Sequence, residues 1–262
     1  MSSHQVKYKK IESKPMENCQ LLFLEKEIIS LLLKILKNNL VSLLVEGSYA
    51  SYEHVPGYSD YDLSAFVKKN LSKKEELIIV KTLEKLSKKY NLEVQCCFVL
   101  YRDFKNCIEN NNKARRFVNN LRLISLKSHG RVLAGKNISK EIPSIKQLAK
   151  RNLQTEINNN YLFVTNSFPG YNILLRKPSK WVSCLINLCS VLLYKKGLVV
   201  SKNELPKILK KYFPEFKGIK YLKKALRLRK TKKVLNLTLK EKKILKKDFL
   251  NFLEIYRKFV MY

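Results

Sequence analysis

Apolar residues recur every three to four positions through 17–38 (ENCQLLFLEKEIISLLLKILKN), which predicts an amphipathic helix. The run LVSLLVEG at 40–47 is short, continuously apolar and closed by glycine, so it predicts a buried strand entering a turn. A loop rich in Ser, Tyr, Pro and Gly leads to Ser59, and YDLSAFV at 61–67 predicts a second strand. SKKEELIIVKTLEKLSKKY at 72–90 returns to the helical period, with Ser72 as N-cap and Glu75 and Glu76 in the first turn. LEVQCCFVL at 92–100 predicts a third strand, 112–128 a helix, and RVLAG at 131–135 a short fourth strand.

From Pro143 onward the pattern is helical, with expected helices at 144–165, 179–196, 202–212, 218–229 and 239–260. The expected fold is therefore an α/β unit over 1–140, a mixed sheet with flanking helices, followed by an all-α helical-bundle domain over 141–262. The stretch WVSCLINLCSVLLY at 181–194 carries no charge but is too short to span a bilayer, and it fits a buried helix. The first twenty residues lack the apolar core of a signal peptide, so a cytoplasmic protein with no membrane partner is expected.

Composition sharpens this picture at two points. The 262 residues are 45% hydrophobic and 28% charged, which is globular and not disordered composition. The six cysteines contain no C-x-x-C pair, so reduced thiols are expected and a zinc site is not. Cys96 and Cys97 should point to opposite sides of their strand. The second point is charge: 53 Lys+Arg against 21 Asp+Glu leave a net of +32, of which residues 141–262 carry +21. Residues 217–247 hold 14 basic side chains and one acid, Glu241. Such a field favours polyanions, whether RNA, DNA, nucleotide phosphates or an acidic membrane surface, and equally suits a chain that simply dresses its solvated helix faces in lysine.

The candidate chemistry lies in the first half. Gly47-Ser48 closes the first strand, Asp60-Tyr61-Asp62 opens the second, and Glu93 opens the third. Side chains at i and i+2 of a strand share a face, so Asp60 and Asp62 point together. With a third carboxylate from a neighbouring strand they form an oxygen site for one or two divalent ions. Gly47 admits a phosphate to the backbone, and Ser48 offers a hydroxyl and an amide. Another acid-x-acid pair, Glu25-Lys26-Glu27, sits in the first helical pattern and is expected on its surface. His54, in the loop before the acids, is a weaker candidate for phosphate contact, and Trp181 is expected to anchor a core.

The segment VEGSYASYEHVPGYSDYDLSAFV resembles the signature of the DNA polymerase β-like nucleotidyltransferases: strand, Gly-Ser, loop, Asp-x-Asp. LEVQ at 92–95 resembles the strand that carries the catalytic glutamate in the streptomycin/spectinomycin adenylyltransferases. SHGRVLAGKNI at 128–138 resembles the end of their nucleotidyltransferase domain, and 185–209 their C-terminal helix-turn-helix. The resemblance implies a nucleotidyltransferase domain followed by a helical one, with the active site in the cleft between them. It implies magnesium on Asp60 and Asp62, with Glu93 beside them as base for the acceptor hydroxyl. It implies a nucleoside triphosphate, ATP, held by Gly47, Ser48, Ser59 and Lys202. The acceptor stays open between an aminoglycoside-like small molecule and RNA. The alternative is a basic RNA-binding protein whose nucleotidyltransferase domain is inactive.

Overall fold

The structure is a computed structural model and describes residues 18–109, 119–151, 153–166 and 178–261. It opens with helix α1 (Asn18–Leu36), strand β1 (Leu40–Glu46), the single turn α2 (Gly47–Ala50), strand β2 (Tyr61–Val67) and helix α3 (Lys73–Tyr90). Strand β3 (Val94–Leu100), helices α4 (Tyr101–Glu109) and α5 (Asn120–His129), and strand β4 (Arg131–Gly135) follow. The remaining described elements are helical: α6 (Ile145–Ala149), α7 (Gln154–Asn166), α8 (Pro178–Tyr194), α9 (Leu205–Tyr212), α10 (Ile219–Lys230) and α11 (Leu239–Met261), with short 3-10 turns between some of them.

The sheet order is β3-β2-β1-β4. β1 runs antiparallel to β2 and β4, while β2 and β3 are parallel, so the sheet is mixed. Alternation along each strand divides the core in two. Leu43, Val45, Tyr61, Leu63 and Val94 face α1 and α3 in one apolar cluster. Leu44, Phe66 and Val99 face the other way and join a second cluster that runs through α5, α8, α10 and α11. The adjacent cysteines divide as expected, Cys96 against the first cluster and Cys97 against the second. Trp181 is 1% exposed and stacks on Phe249 inside the second cluster.

Local chemistry explains most boundaries. Ser72 accepts the Glu75 N–H while Glu75 reaches back to the Ser72 N–H, and Asn91 closes α3 in the left-handed conformation. Lys37, with φ 46°, ends α1 and sends the chain into β1. The expected helix over 144–165 is two helices, because Ser144 and Gln147 cap a short α6 and the chain breaks before α7. Arg151 sits in that break and donates to the carbonyls of Cys107 and Ile108 at 3.1 and 2.7 Å, closing the end of α4. α4 itself is absent from the sequence pattern, since only Phe104 and Cys107 of its nine residues are buried. The part of the expected 112–128 helix at 112–118 lies outside the described residues. No helix among the described residues is long and apolar enough to cross a membrane.

Candidate active site

The sheet register sets the site. Glu46 lies directly across β1 and β2 from Asp62, and Asp62 is level with Gln95 on β3. Tyr61 N–H donates to the Glu93 carbonyl at 2.8 Å, which brings Glu93 beside the aspartate pair. Tyr61 and Val94 share the α1/α3 face, so Asp60, Asp62, Glu93 and Gln95 share the opposite one. Gln95 donates to Glu93 at 2.6 Å. The charge of Glu93 is felt by both Asp62 and Lys180.

This face holds more negative charge than the sequence suggests. Burial pushes the Asp62 carboxyl up to about 7, and Asp60, Glu46 and Glu93 push in the same direction, while Lys180 opposes them. Gly47 makes room for that carboxylate: with φ +66° it is left-handed, and a Cβ there would sit 2.8 Å from Asp62 Oδ2. Lys180, from the first turn of α8, donates to Asp60 Oδ2 at 2.7 Å. Glu46 is held by the Arg122 guanidinium at 2.8 Å, and both contact Ser64. Behind the sheet, the Tyr61 hydroxyl donates to Glu25 Oε1 at 2.7 Å, and Arg131 grips both Glu25 oxygens at 3.0 and 2.5 Å. Glu25 is thus a buried ion-pair partner, 7% exposed, and not the surface acid its helix pattern suggests. Its placement follows from burial of α1 against the sheet, where Arg131 of β4 supplies the counter-charge.

The carboxylates open into a cleft of about 1280 Å³ between the sheet and the later helices. Gly47, Ser48, Ser59, Asp60, Asp62 and Lys202 all line it. Lys202, ahead of α9, is tied to Glu53 through its backbone N–H at 2.6 Å and its ammonium at 2.5 Å. Ser59 accepts the Val55 N–H at 2.9 Å and an Arg229 N–H at 3.3 Å. Arg229, from α10, lies over the Tyr58 ring at 4.8 Å and donates to the Glu53 carbonyl at 2.9 Å. Tyr58 in turn donates to the Ser179 carbonyl at 2.7 Å. The loop that carries Asp60 is therefore fastened to α8, α10 and the turn before α9. His54 stacks on Tyr49 with ring centroids 4.2 Å apart.

Sequence reasoning missed Glu46, Arg122, Lys180 and Arg229. Glu46 was visible as the last residue of an apolar strand, an expensive place for an acid. The other three reach the site from distant helices, and nothing local marks them.

The donor set suits a hard divalent cation. Two carboxylates stand two residues apart on one face, one of them raised by burial and then by its like-charged neighbours, and the Lys180 ammonium already stands there as a counter-charge. Among the described residues no three metal-ligating groups close into a ready cage. Asp60 and Asp62 fit as the protein's own ligands.

No protein-family model matches the chain, and no curated protein matches it. Among solved structures, it is similar to the spectinomycin adenyltransferase AAD(9) from Enterococcus faecialis with ATP and spectinomycin. Identity is 15%, the TM-score 0.61, and the match covers 90% of this chain and 99% of that one. A slighter likeness joins about half of this chain, 53%, to 92% of a chain from the Shewanella oneidensis complex of a HEPN toxin with its MNT antitoxin, at 17% identity and TM-score 0.33. The mixed sheet and the likeness over 90% of the chain show that it shares the fold of that adenyltransferase.

Proposed function

We propose that the protein is a magnesium-dependent nucleotidyltransferase that moves AMP from ATP to an acceptor hydroxyl and releases pyrophosphate. The single observation that carries this is the register that brings Glu93 beside the aspartate pair on one face, with Asp60 and Asp62 lining a cleft together with Gly47 and Ser48. The fold likeness to an adenyltransferase that holds ATP supports it. Residues 141–262 act as a helical domain that closes the cleft from the far side.

Asp60 and Asp62 would hold the divalent ion, which when bound would offset the charge of the triphosphate and of the phosphorus under attack. Gly47 and Ser48 hold the triphosphate chain, and Lys202 and Arg229 border it from the other half. Ser59 keeps Arg229 and the loop in place. Glu93 takes the proton from the acceptor hydroxyl. The acceptor oxygen then bonds to the α-phosphorus, the bond to the bridging oxygen breaks, and pyrophosphate leaves with that electron pair.

Asp60→Asn should abolish transfer of label from α-labelled ATP while circular dichroism and the melting profile stay native. Undiminished turnover in that variant would remove the proposal. The +21 charge of the second half favours a rival, a basic RNA-binding protein with an inactive nucleotidyltransferase domain. That rival predicts a thermal shift with RNA and none with magnesium-ATP.

A further inference from the structure

The wall of the cleft opposite the carboxylates is made by α8, a helix apolar on every side but one. Trp181, Val182, Leu185, Ile186, Leu188 and Cys189 are buried. Lys180, Ser183, Asn187 and Ser190 recur at steps of three and four, so they form one stripe, and all four line the cleft. Three of the four have partners within the protein: Lys180 bridges Asp60, Ser183 meets the Tyr58 hydroxyl at 3.0 Å, and Ser190 donates to the Ile186 carbonyl at 3.0 Å. Asn187 has no hydrogen-bond partner among the described residues and stands exposed, as does Asn159, which α7 brings to the same cleft.

The charges around this stripe are one-sided. Glu46 is engaged by Arg122 and Glu53 by Lys202. Glu156 accepts the N–H groups of Asn120 and Leu121 at 3.1 and 3.0 Å and the Asn120 amide at 2.7 Å, so it serves the start of α5. Among the described residues lining the cleft, every carboxylate beyond the Asp60–Asp62 pair is already committed. Lys180 leans on Asp60, the carboxylate that a divalent ion would share. A cationic amino sugar finds amides, hydroxyls and an ammonium here, and the carboxylates beside them, Asp60, Asp62 and Glu93, are those assigned above to the metal and to the acceptor's proton. An anion finds Lys180.

Building on the nucleotidyl-transfer assignment, we infer that the acceptor is a hydroxylated anion, a sugar or ribose bearing a phosphate near the reacting hydroxyl, recognised by Lys180 and the Asn187 stripe. The phosphate can belong to a small sugar phosphate or to an RNA end. The test uses the full chain loaded with magnesium and a non-hydrolysable ATP analogue, with calorimetric binding as readout. Four probes are titrated: ribose 5-phosphate, a short oligoribonucleotide with a free 3′ hydroxyl, ribose and kanamycin. At least one of the two phosphate-bearing probes should bind at least tenfold more tightly than ribose or kanamycin. Binding of the oligonucleotide alone identifies an RNA end, and binding of ribose 5-phosphate identifies a small acceptor. Asn187→Asp, an exposed position, should cut the preference for the phosphate probe over kanamycin at least tenfold, and Lys180→Gln should do likewise. Tighter binding of kanamycin, no binding of either phosphate probe, or an unchanged preference in both variants overturns the inference. Failure of the protein to bind the magnesium-nucleotide at all removes instead the assignment beneath it.

Discussion

Asp62 is the residue on which the electrostatics converge. Its carboxyl is raised from 3.8 to about 7, so between those values the folded protein holds a proton that the unfolded chain has released. Folding stability attributable to this group is complete below about pH 4 and is lost as the pH rises through 7. Asp62→Asn removes that loss, so its melting temperature should exceed that of the native chain at pH 8 and match it near pH 4. Equal melting at both values would show that Asp62 is not charged against its neighbours. The same proton competes with a metal, so magnesium affinity measured by calorimetry should fall as the pH drops below 7. Glu46 is paired with the Arg122 guanidinium. Glu46→Gln leaves a guanidinium in a partly buried site, which costs on the order of 2 kcal/mol in a denaturant titration. The aspartate pair was legible from its spacing alone, because strand geometry fixes where i and i+2 point. Lys180 was not, because its partner lies 120 residues away.

Elements with their own caps and periods read directly from the chain. β2 and β4 fall on the expected residues, and α3 begins at the capping box that its sequence announces. Replacing Ser72 with Ala should cost about 1 kcal/mol in thermal melts, with no change in nucleotide binding, because the cap lies on the α1/α3 side of the sheet. The illegible elements are those held by something outside themselves. α4 continues straight from β3, and its closing carbonyls are met by Arg151 from beyond α6. The same arginine sits in the break between α6 and α7. A period of 3.6 reports a buried stripe, and it cannot report a distant donor.

At the scale of the whole molecule, the expected boundary near residue 140 crosses a shared interior. Leu44, Phe66 and Val99 of the sheet belong to the same apolar cluster as Trp181, Phe249 and Phe252 of the late helices. Splitting the chain there would expose both sides, each large side chain forfeiting about 1.5–3 kcal/mol of burial. The single tryptophan, Trp181, reports on the helical side. Its fluorescence and the far-ultraviolet circular dichroism should therefore follow one transition in denaturant, and two separated midpoints would contradict a common core. Periodicity says which face of an element is buried and not against what, so the apolar cluster shared by sheet and late helices is not legible in the pattern.

The Lys180–Asp60 bridge gives the resting protein a built-in plug. On the proposed reading, a cation bound for Asp60 competes with an amine that cannot diffuse away. Both partners are partly exposed, so that competition is worth about 0–1 kcal/mol, enough to bias the weakest arrivals and too little to bar a tight one.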